Sequence, residues 1–425
     1  MIYIRNASQL ITVAGATAAP KRGREMEDLC IIHNGGLVIE EGRFTFVGQD
    51  DEAQRYVQNR AKKKKEVMVI DASGKVVTPG LVDPHTHLVF AGSRELELEM
   101  RLKGASYIDI LKQGGGILST AEQTRAASAE ELAEQAKQRL DRFLLHGVTT
   151  IEAKSGYGLT VEDEIKQLRT ARLLSRVHPV DIVSTFMGAH CVPKEYKNDP
   201  EAYVRLVTDD MIPLVAKEGL AEFCDVFCEQ GVFTVEQSER ILNAGIQAGL
   251  RPKIHADELE PFGGAELAAR VGAVTADHLL KASDTGIRDL AKAGVIAVLL
   301  PGTAFFLMAE PAKARKMIEA GVPVALSTDR NPGSSPTESL QLIMNLACLT
   351  MRMTPAEVLT AVTINAAHAL GRADRIGSIE TGKQADLALF NAPNYVYLQY
   401  HYGINLVDTV IKNGIVAVSK GVITS

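Results

Sequence analysis

Cysteine is scarce: there are five, Cys30, Cys191, Cys224, Cys228 and Cys348, and no C-x-x-C pair occurs among them. An odd count without that spacing argues against a disulfide framework and against a zinc knuckle. Reduced thiols in a cytoplasmic protein fit better, and Cys224 and Cys228, four apart in a strand-like run, are expected to pack rather than ligate. Long apolar runs are also missing, so no segment reads as a membrane span. The N-terminal MIYIRNASQLITVAG is interrupted by Arg5, Asn6 and Gln9 and does not read as a secretory leader. Positive charge is in deficit too, with a net charge of −6. The one basic cluster, Lys62 to Lys65, reads as a solvated turn or helix end. Nucleic acid and membrane surfaces are therefore not expected partners.

What is present is ordinary in bulk and specific in pattern. A hydrophobic fraction of 46% over 425 residues suits one large barrel with a small second domain. Residues 1–77 alternate apolar and polar residues around glycine turns, as in IIHNGGLVIEEGRFTFVGQ, and predict short strands and hairpins. From 78 the texture changes. Eight strand-like runs are expected at 80–90, 147–154, 181–189, 222–228, 251–256, 272–278, 294–300 and 322–328. Amphipathic stretches such as 128–146, 162–177, 235–249 and 283–293 separate them. This βα alternation predicts an α/β protein built on a (β/α)8 TIM-type barrel over 78–370. After 370, IGSIETGKQADLALFN and VDTVIKNGIVAVSKG again read as short strands. Segments 1–77 and 371–425 together are expected to form one small β-sandwich-like domain.

Active sites of such barrels lie at the C-terminal ends of the strands, so the polar residues closing each strand carry the chemistry. The first strand ends in Asp83-Pro84-His85-Thr86-His87. Side chains two apart on a strand share a face, so His85 and His87 can reach one point. The fifth ends in His255-Ala-Asp-Glu258, the sixth in Asp277-His278 and the eighth in Ser327-Thr-Asp329. Barrel closure sets the eighth strand beside the first. His85, His87, His255 and Asp329 are thus expected to bind zinc or iron. Each alone is equally a strand-end side chain capping a loop; four at matching strand ends are not. A metal there activates water and polarises a carbonyl. Glu258 is the first choice for moving the proton, His278 for orienting the reacting oxygen, and Asp329 for serving as ligand and as partner of the water.

These residues, together with the IxxGxxADLxLF segment beginning at Ile379, resemble the amidohydrolase superfamily nearly end to end. Binuclear members carry a bridging carboxylated lysine at the end of strand four. Here that place reads Phe227-Cys228-Glu229, and Lys154 belongs to strand two. The resemblance therefore implies the mononuclear branch, with one divalent or trivalent ion, zinc or iron, per subunit.

Four local motifs narrow the likeness: Glu152-Ala-Lys-Ser-Gly-Tyr-Gly158, Gly188-Ala-His-Cys191, His255-Ala-Asp-Glu258 and Ser327-Thr-Asp-Arg-Asn-Pro-Gly-Ser334. In combination they resemble the imidazolonepropionase family. That family opens the ring of 4-imidazolone-5-propanoate with water, in histidine degradation, to give N-formimidoyl-L-glutamate. The resemblance implies substrate contact for Arg94, Tyr157, His190, Glu258, Asn331, Gly333 and Ser334. A guanidinium such as Arg94 suits the propionate, as does the Tyr157 hydroxyl. His190 is expected to hydrogen-bond the ring carbonyl, and Gly333 and Ser334 to offer backbone N–H groups. Gly114-Gly115-Gly116 reads either as a hinge or as a plain linker. A homodimer is expected. The rival from the same superfamily is a deaminase of a nitrogen heterocycle, which shares the metal set. The rival from another class is a non-catalytic scaffold, against which the intact metal set argues.

Overall fold

The protein is described from a computed structural model covering residues 1–61, 66–104 and 115–424. Lys62 to Lys65 and Gly114 lie outside the described residues. The barrel strands are β6 Leu81–Asp83, β7 Val148–Lys154, β8 Asp181–Ala189, β9 Phe223–Cys228, β10 Arg251–Ala256, β11 Thr275–His278, β12 Ile296–Leu299 and β13 Val324–Leu326. Seven parallel pairings join them in sequence order. Helices cross between them with their starts marked in the sequence. Ser128 and Glu131 form a reciprocal cap before Ala129–Leu145, Thr234 and Gln237 before Val235–Gln247, and Thr160 and Ser283 cap Val161–Val177 and Asp284–Ala293.

The first strand is shorter than the apolar run 80–90 suggests, because Pro84 follows Asp83 and has no N–H for the ladder. The chain stays extended beyond it and closes the barrel there. Thr86 bridges Arg330, Asp329 N–H donates to His85 O at 3.1 Å, and His87 N–H donates to Arg330 O at 2.9 Å. Closure thus falls on the same few residues that the sequence offers as metal ligands.

The chain ends build the second unit. Strands β1 Ile2–Ile11, β2 Ile31–Glu40, β3 Arg43–Gln49, β4 Met68–Asp71, β5 Val76–Pro79, β14 Leu387–Phe390, β15 Val407–Lys412, β16 Ile415–Ser419 and β17 Val422–Ile423 form one nine-stranded mixed sheet. The join is antiparallel, Leu387 opposite Pro79 through Phe390 opposite Val76. Leu10, Leu37, Ile39, Phe44, Leu387, Leu389 and Ile411 share a separate core. Strands from both halves of the sheet order thus meet, as a sandwich-like fold requires. The alternate residues Val76, Ala388 and Phe390 face the barrel core instead. No helix among the described residues is long and apolar enough to cross a membrane.

Phe390 is fully buried at this join. Phe390→Ala is expected to cost about 3–5 kcal/mol. A fall in the chemical-denaturation midpoint measures it; a midpoint within error of wild type would show that the terminal sheet does not stabilise the barrel.

Candidate metal centre and substrate cavity

A cavity of about 420 Å3 opens at the C-terminal ends of the barrel strands. At its floor, the ligand atoms of His85, His87 and His255 lie within 4.8 Å of one another, as do those of His85, His278 and Asp329. The expected four residues are brought together as two triads sharing His85, with His278 in the second. The Nε2 atoms of His85 and His87 stand 3.4 and 3.8 Å from Asp329 Oδ1.

The tautomers follow from the outer contacts. His85 Nδ1 meets Asp277 Oδ2 at 2.6 Å, and His255 Nδ1 meets Asp225 Oδ1 at 3.1 Å. A carboxylate oxygen accepts, so each Nδ1 carries the hydrogen and each Nε2 turns a lone pair inward. Both Nε2 atoms are buried without a hydrogen-bond partner. Burial, then the charge of Lys154 and neighbouring imidazoles, holds His85 neutral, well below the usual histidine range. Burial also lifts Asp329 to about 6. Lone pairs facing lone pairs in a dry site are reconciled by a cation, so these residues fit a metal ion.

Beneath the floor lies a group that sequence reasoning missed as a unit. Lys154 Nζ stands 2.6 Å from Asp225, 2.9 Å from Glu152 and 3.3 Å from Asp277, all fully buried. Lys253 Nζ meets Glu152 at 2.7 Å. Burial alone would lower the Lys154 pKa, but the three carboxylates outweigh it and keep the ammonium charged. Asp225, His255 and Asp277 also form a possible metal triad, but Lys154 already supplies its positive charge. The signal was in the sequence: Glu152, Lys154, Asp225 and Lys253 are ionisable residues inside otherwise apolar parallel strands, where charge needs a partner.

Glu258 is placed by its loop. Asp257 accepts four backbone N–H groups, from Phe262 to Ala265, and Glu229 accepts those of Glu258 and Leu259. Glu258 Oε2 then lies 3.5 Å from His278 Nε2. Burial, with Asp329 and Glu229 nearby, raises its pKa to about 8. Asp257, His278 and Asp329 all adopt positive φ, of 50°, 72° and 52°. Backbone strain is thus concentrated where strands β10, β11 and β13 deliver their functional side chains.

The remaining expected residues also line the cavity, with some changes of role. His190 stacks on His87, and its Nδ1 donates to Gly156 O at 3.0 Å. Gly156 has φ +109°, and an added Cβ would sit 2.9 Å from His190 Cβ. Burial drops His190 to about 3. A neutral ring donating through Nδ1 leaves Nε2 as an acceptor, so the geometry suits a ring N–H rather than the expected ring carbonyl. The N–H groups of Gly333 and Ser334 are both taken by Asn331 Oδ1 at 2.8 Å, so they do not form the free anion cradle expected from the sequence. Arg94 donates Nε and Nη2 to Glu97 at 2.8 and 2.7 Å and packs so tightly on Gly333 that a Cβ there would lie 2.0 Å from its Nη1. Tyr157 is buried beside His87 and His190. Glu97 and Arg101, which line the same wall, were not foreseen.

The amidohydrolase family matches residues 76–417, and the chain belongs to it. Solved structures with this fold include an adenosine deaminase from Xanthomonas campestris with bound zinc, 18% identical with a TM-score of 0.72, covering 100% of this chain and 94% of that one. Another is the atrazine chlorohydrolase TrzN from Arthrobacter aurescens TC1 complexed with zinc, also 18% identical with a TM-score of 0.72, covering 100% and 96%. At that identity they speak for the fold alone. Much nearer in sequence are the imidazolonepropionases of Shouchella clausii, 66% identical over 100% of this chain and 94% of that one, and of Brevibacillus brevis, 63% over 99% and 98%. Within the amidohydrolases, the chain belongs to the imidazolonepropionase family.

Asp277→Asn keeps an acceptor for His85 and removes the charge. Metal retention is expected to weaken about 10- to 100-fold, read as faster loss to a competing chelator. Retention equal to wild type would show that Asp277 does not tune the centre.

Proposed function

We propose that this site opens the ring of 4-imidazolone-5-propanoate with water to give N-formimidoyl-L-glutamate. The observation that carries the reading is one cavity with His87, His255 and Asp329 at its floor, His85 Nε2 3.4 Å from that Asp329, and guanidinium groups on its wall. A cyclic amide with an anionic arm matches both ends. Nearly full-length relatives named imidazolonepropionase support it.

His85, His87, His255 and Asp329 would hold one ion, zinc or iron. The charge of Lys154 on the adjacent carboxylates favours one over two. When bound, the metal supplies Lewis acidity toward water and the ring carbonyl. The chain's own residues do the rest. Glu258 takes a proton from the attacking water, and His278, 3.5 Å away, hydrogen-bonds the reacting oxygen. The water oxygen bonds to the carbonyl carbon, the amide C–N bond breaks, and Glu258 returns the proton to the departing nitrogen. His190 Nε2 accepts from a ring N–H and fixes the ring. Tyr157, whose pKa burial raises, stays protonated and donates to the carboxylate beside Arg94. Asn331 braces the turn that brings Gly333 and Ser334 to the substrate, holding both N–H groups and Ser334 Oγ.

Glu258→Gln is expected to lower kcat about 10²- to 10⁴-fold with metal content unchanged. A base has to be ionised, so activity falls as pH drops through its pKa. Burial raises that pKa, so the acid limb of the profile should lie above pH ~5, outside the ordinary glutamate range, and vanish in the variant. Loss of the substrate's ultraviolet absorbance without ammonia release measures turnover. Near-normal turnover by the variant would remove Glu258 from proton transfer, and ammonia release would point to deamination.

A further inference from the structure

The loop that brings Tyr157 to the cavity is held from behind by two side chains of one helix. Glu164 and Gln167 stand three residues apart on the helix Val161–Val177, so they share a face. Both are buried. Glu164 Oε1 accepts the N–H groups of Gly158 and Leu159, both at 2.8 Å, and its Oε2 accepts that of Gly156 at 3.1 Å. The Ser155 hydroxyl adds a further contact to the same carboxylate. Gln167 Oε1 takes the N–H that is left, that of Tyr157, at 3.1 Å. Four successive backbone donors, 156 to 159, are therefore committed to two side chains. The approach is close: a Cβ on Gly158 would lie 2.4 Å from Glu164 N.

The peptide joining Gly156 to Tyr157 matters most. A trans peptide is planar, so its N–H and C=O point in opposite directions. Gln167 holds the N–H end. The C=O end, Gly156 O, stands 3.0 Å from His190 Nδ1. The Gln167 amide is itself oriented, because its Nε2 donates to Val89 O at 2.6 Å. A flipped amide would set NH2 against N–H at one end and carbonyl against carbonyl at the other. The direction thus runs from Val89, two residues past His87, through Gln167 and this peptide to His190, whose ring stacks back on His87 at 4.9 Å. A carbonyl can only accept, so it calls for hydrogen on Nδ1 and leaves Nε2 with its lone pair.

We infer that Gln167 and Glu164 are positioning residues: they aim the Gly156 carbonyl at His190, fix its tautomer, and so keep Nε2 an acceptor for an N–H of the substrate ring. The substrate part rests on the ring-opening reading. Neither residue lines the cavity, so both act through the loop.

The test uses zinc-loaded, full-length protein with isotope-labelled histidine, whose ring-nitrogen resonances separate the two neutral tautomers. The His190 signals are assigned by their loss in His190→Ala. Gln167→Met keeps the bulk and removes both hydrogen bonds; Glu164→Gln keeps the shape and turns an NH2 toward loop N–H groups. Wild type is expected to show hydrogen on Nδ1 alone. Both variants should show a mixture of tautomers with metal content unchanged, and kcat/KM lower by about 10- to 100-fold, the cost of a misplaced ring. In a His190→Ala background the same changes should cost less than about threefold, because the partner through which they act is gone. A pair that only stabilises the fold would lower the denaturation midpoint and leave the tautomer as in wild type. Hydrogen on Nδ1 alone in both variants, hydrogen on Nε2 in wild type, or an undiminished loss in the His190→Ala background overturns the proposal. If Gln167→Met does not fold, Glu164→Gln decides it by the same readouts. Wild type with hydrogen on Nδ1 that does not open the imidazolone ring sinks the ring-opening reading and leaves the positioning of His190 standing.

Discussion

The buried ammonium of Lys154 among Asp225, Glu152 and Asp277 is the contact on which the rest of the site depends. Through Asp225 it fixes the tautomer and direction of His255; through Asp277 it does the same for His85. Breaking such a group by removing one member leaves buried charge uncompensated, at a cost of about 3–5 kcal/mol. Strands β7, β9 and β11 each contribute a member, and β10 adds Lys253 against Glu152. Their relative register is therefore tied to the direction of two imidazoles. Packing alone would tolerate small shifts of one strand against the next; this charge network does not.

Above that group the molecule holds groups in conflict. The Nε2 atoms of His85 and His87 face the Asp329 carboxylate, and three strand-end residues sit at positive φ. The surrounding barrel tolerates this because its core is continuous and apolar from β6 to β13 and on into the helices behind them. The strain is stored where a cation and a substrate relieve it, and the stability that offsets it comes from elsewhere in the fold.

The cavity is polarised along its length. Its floor is built by strand ends and carries imidazoles and carboxylates; its wall is built by the loop and short helix after β6, and by the turn 331–334, and carries Arg94 and Arg101. The two are joined mechanically at Gly333, which packs on Arg94, accepts from Arg101 and donates to Asn331, two residues past Asp329. Asn331 Nδ2 in turn donates to Asp329 O at 2.8 Å, so the wall is hydrogen-bonded to the floor. Loops carrying recognition on a rigid scaffold are a general solution, and here the scaffold and the recognition loop share a turn.

Much of this was legible in the chain itself. Period-two and helical patterns placed all eight barrel strands, and the spacing of His85 and His87, with His255, His278 and Asp329 at later strand ends, marked the floor of the cavity. Those features are local, fixed by alternation, capping and strand length. What the sequence could not determine were relations between distant positions. It showed Asp225, Glu152 and Lys154 as isolated charges in apolar strands, but only closure of the barrel brings them within hydrogen-bond reach. It marked Gly333 and Ser334 as an open turn, but only the folded turn shows Asn331 taking their N–H groups. It singled out Arg94 and passed over Arg101, because only the fold sets Arg101 on the cavity wall against Gly333 O. Periodicity carries the identity and direction of each strand; which charge meets which is decided by tertiary structure, because electrostatic pairing depends on distance through space rather than along the chain.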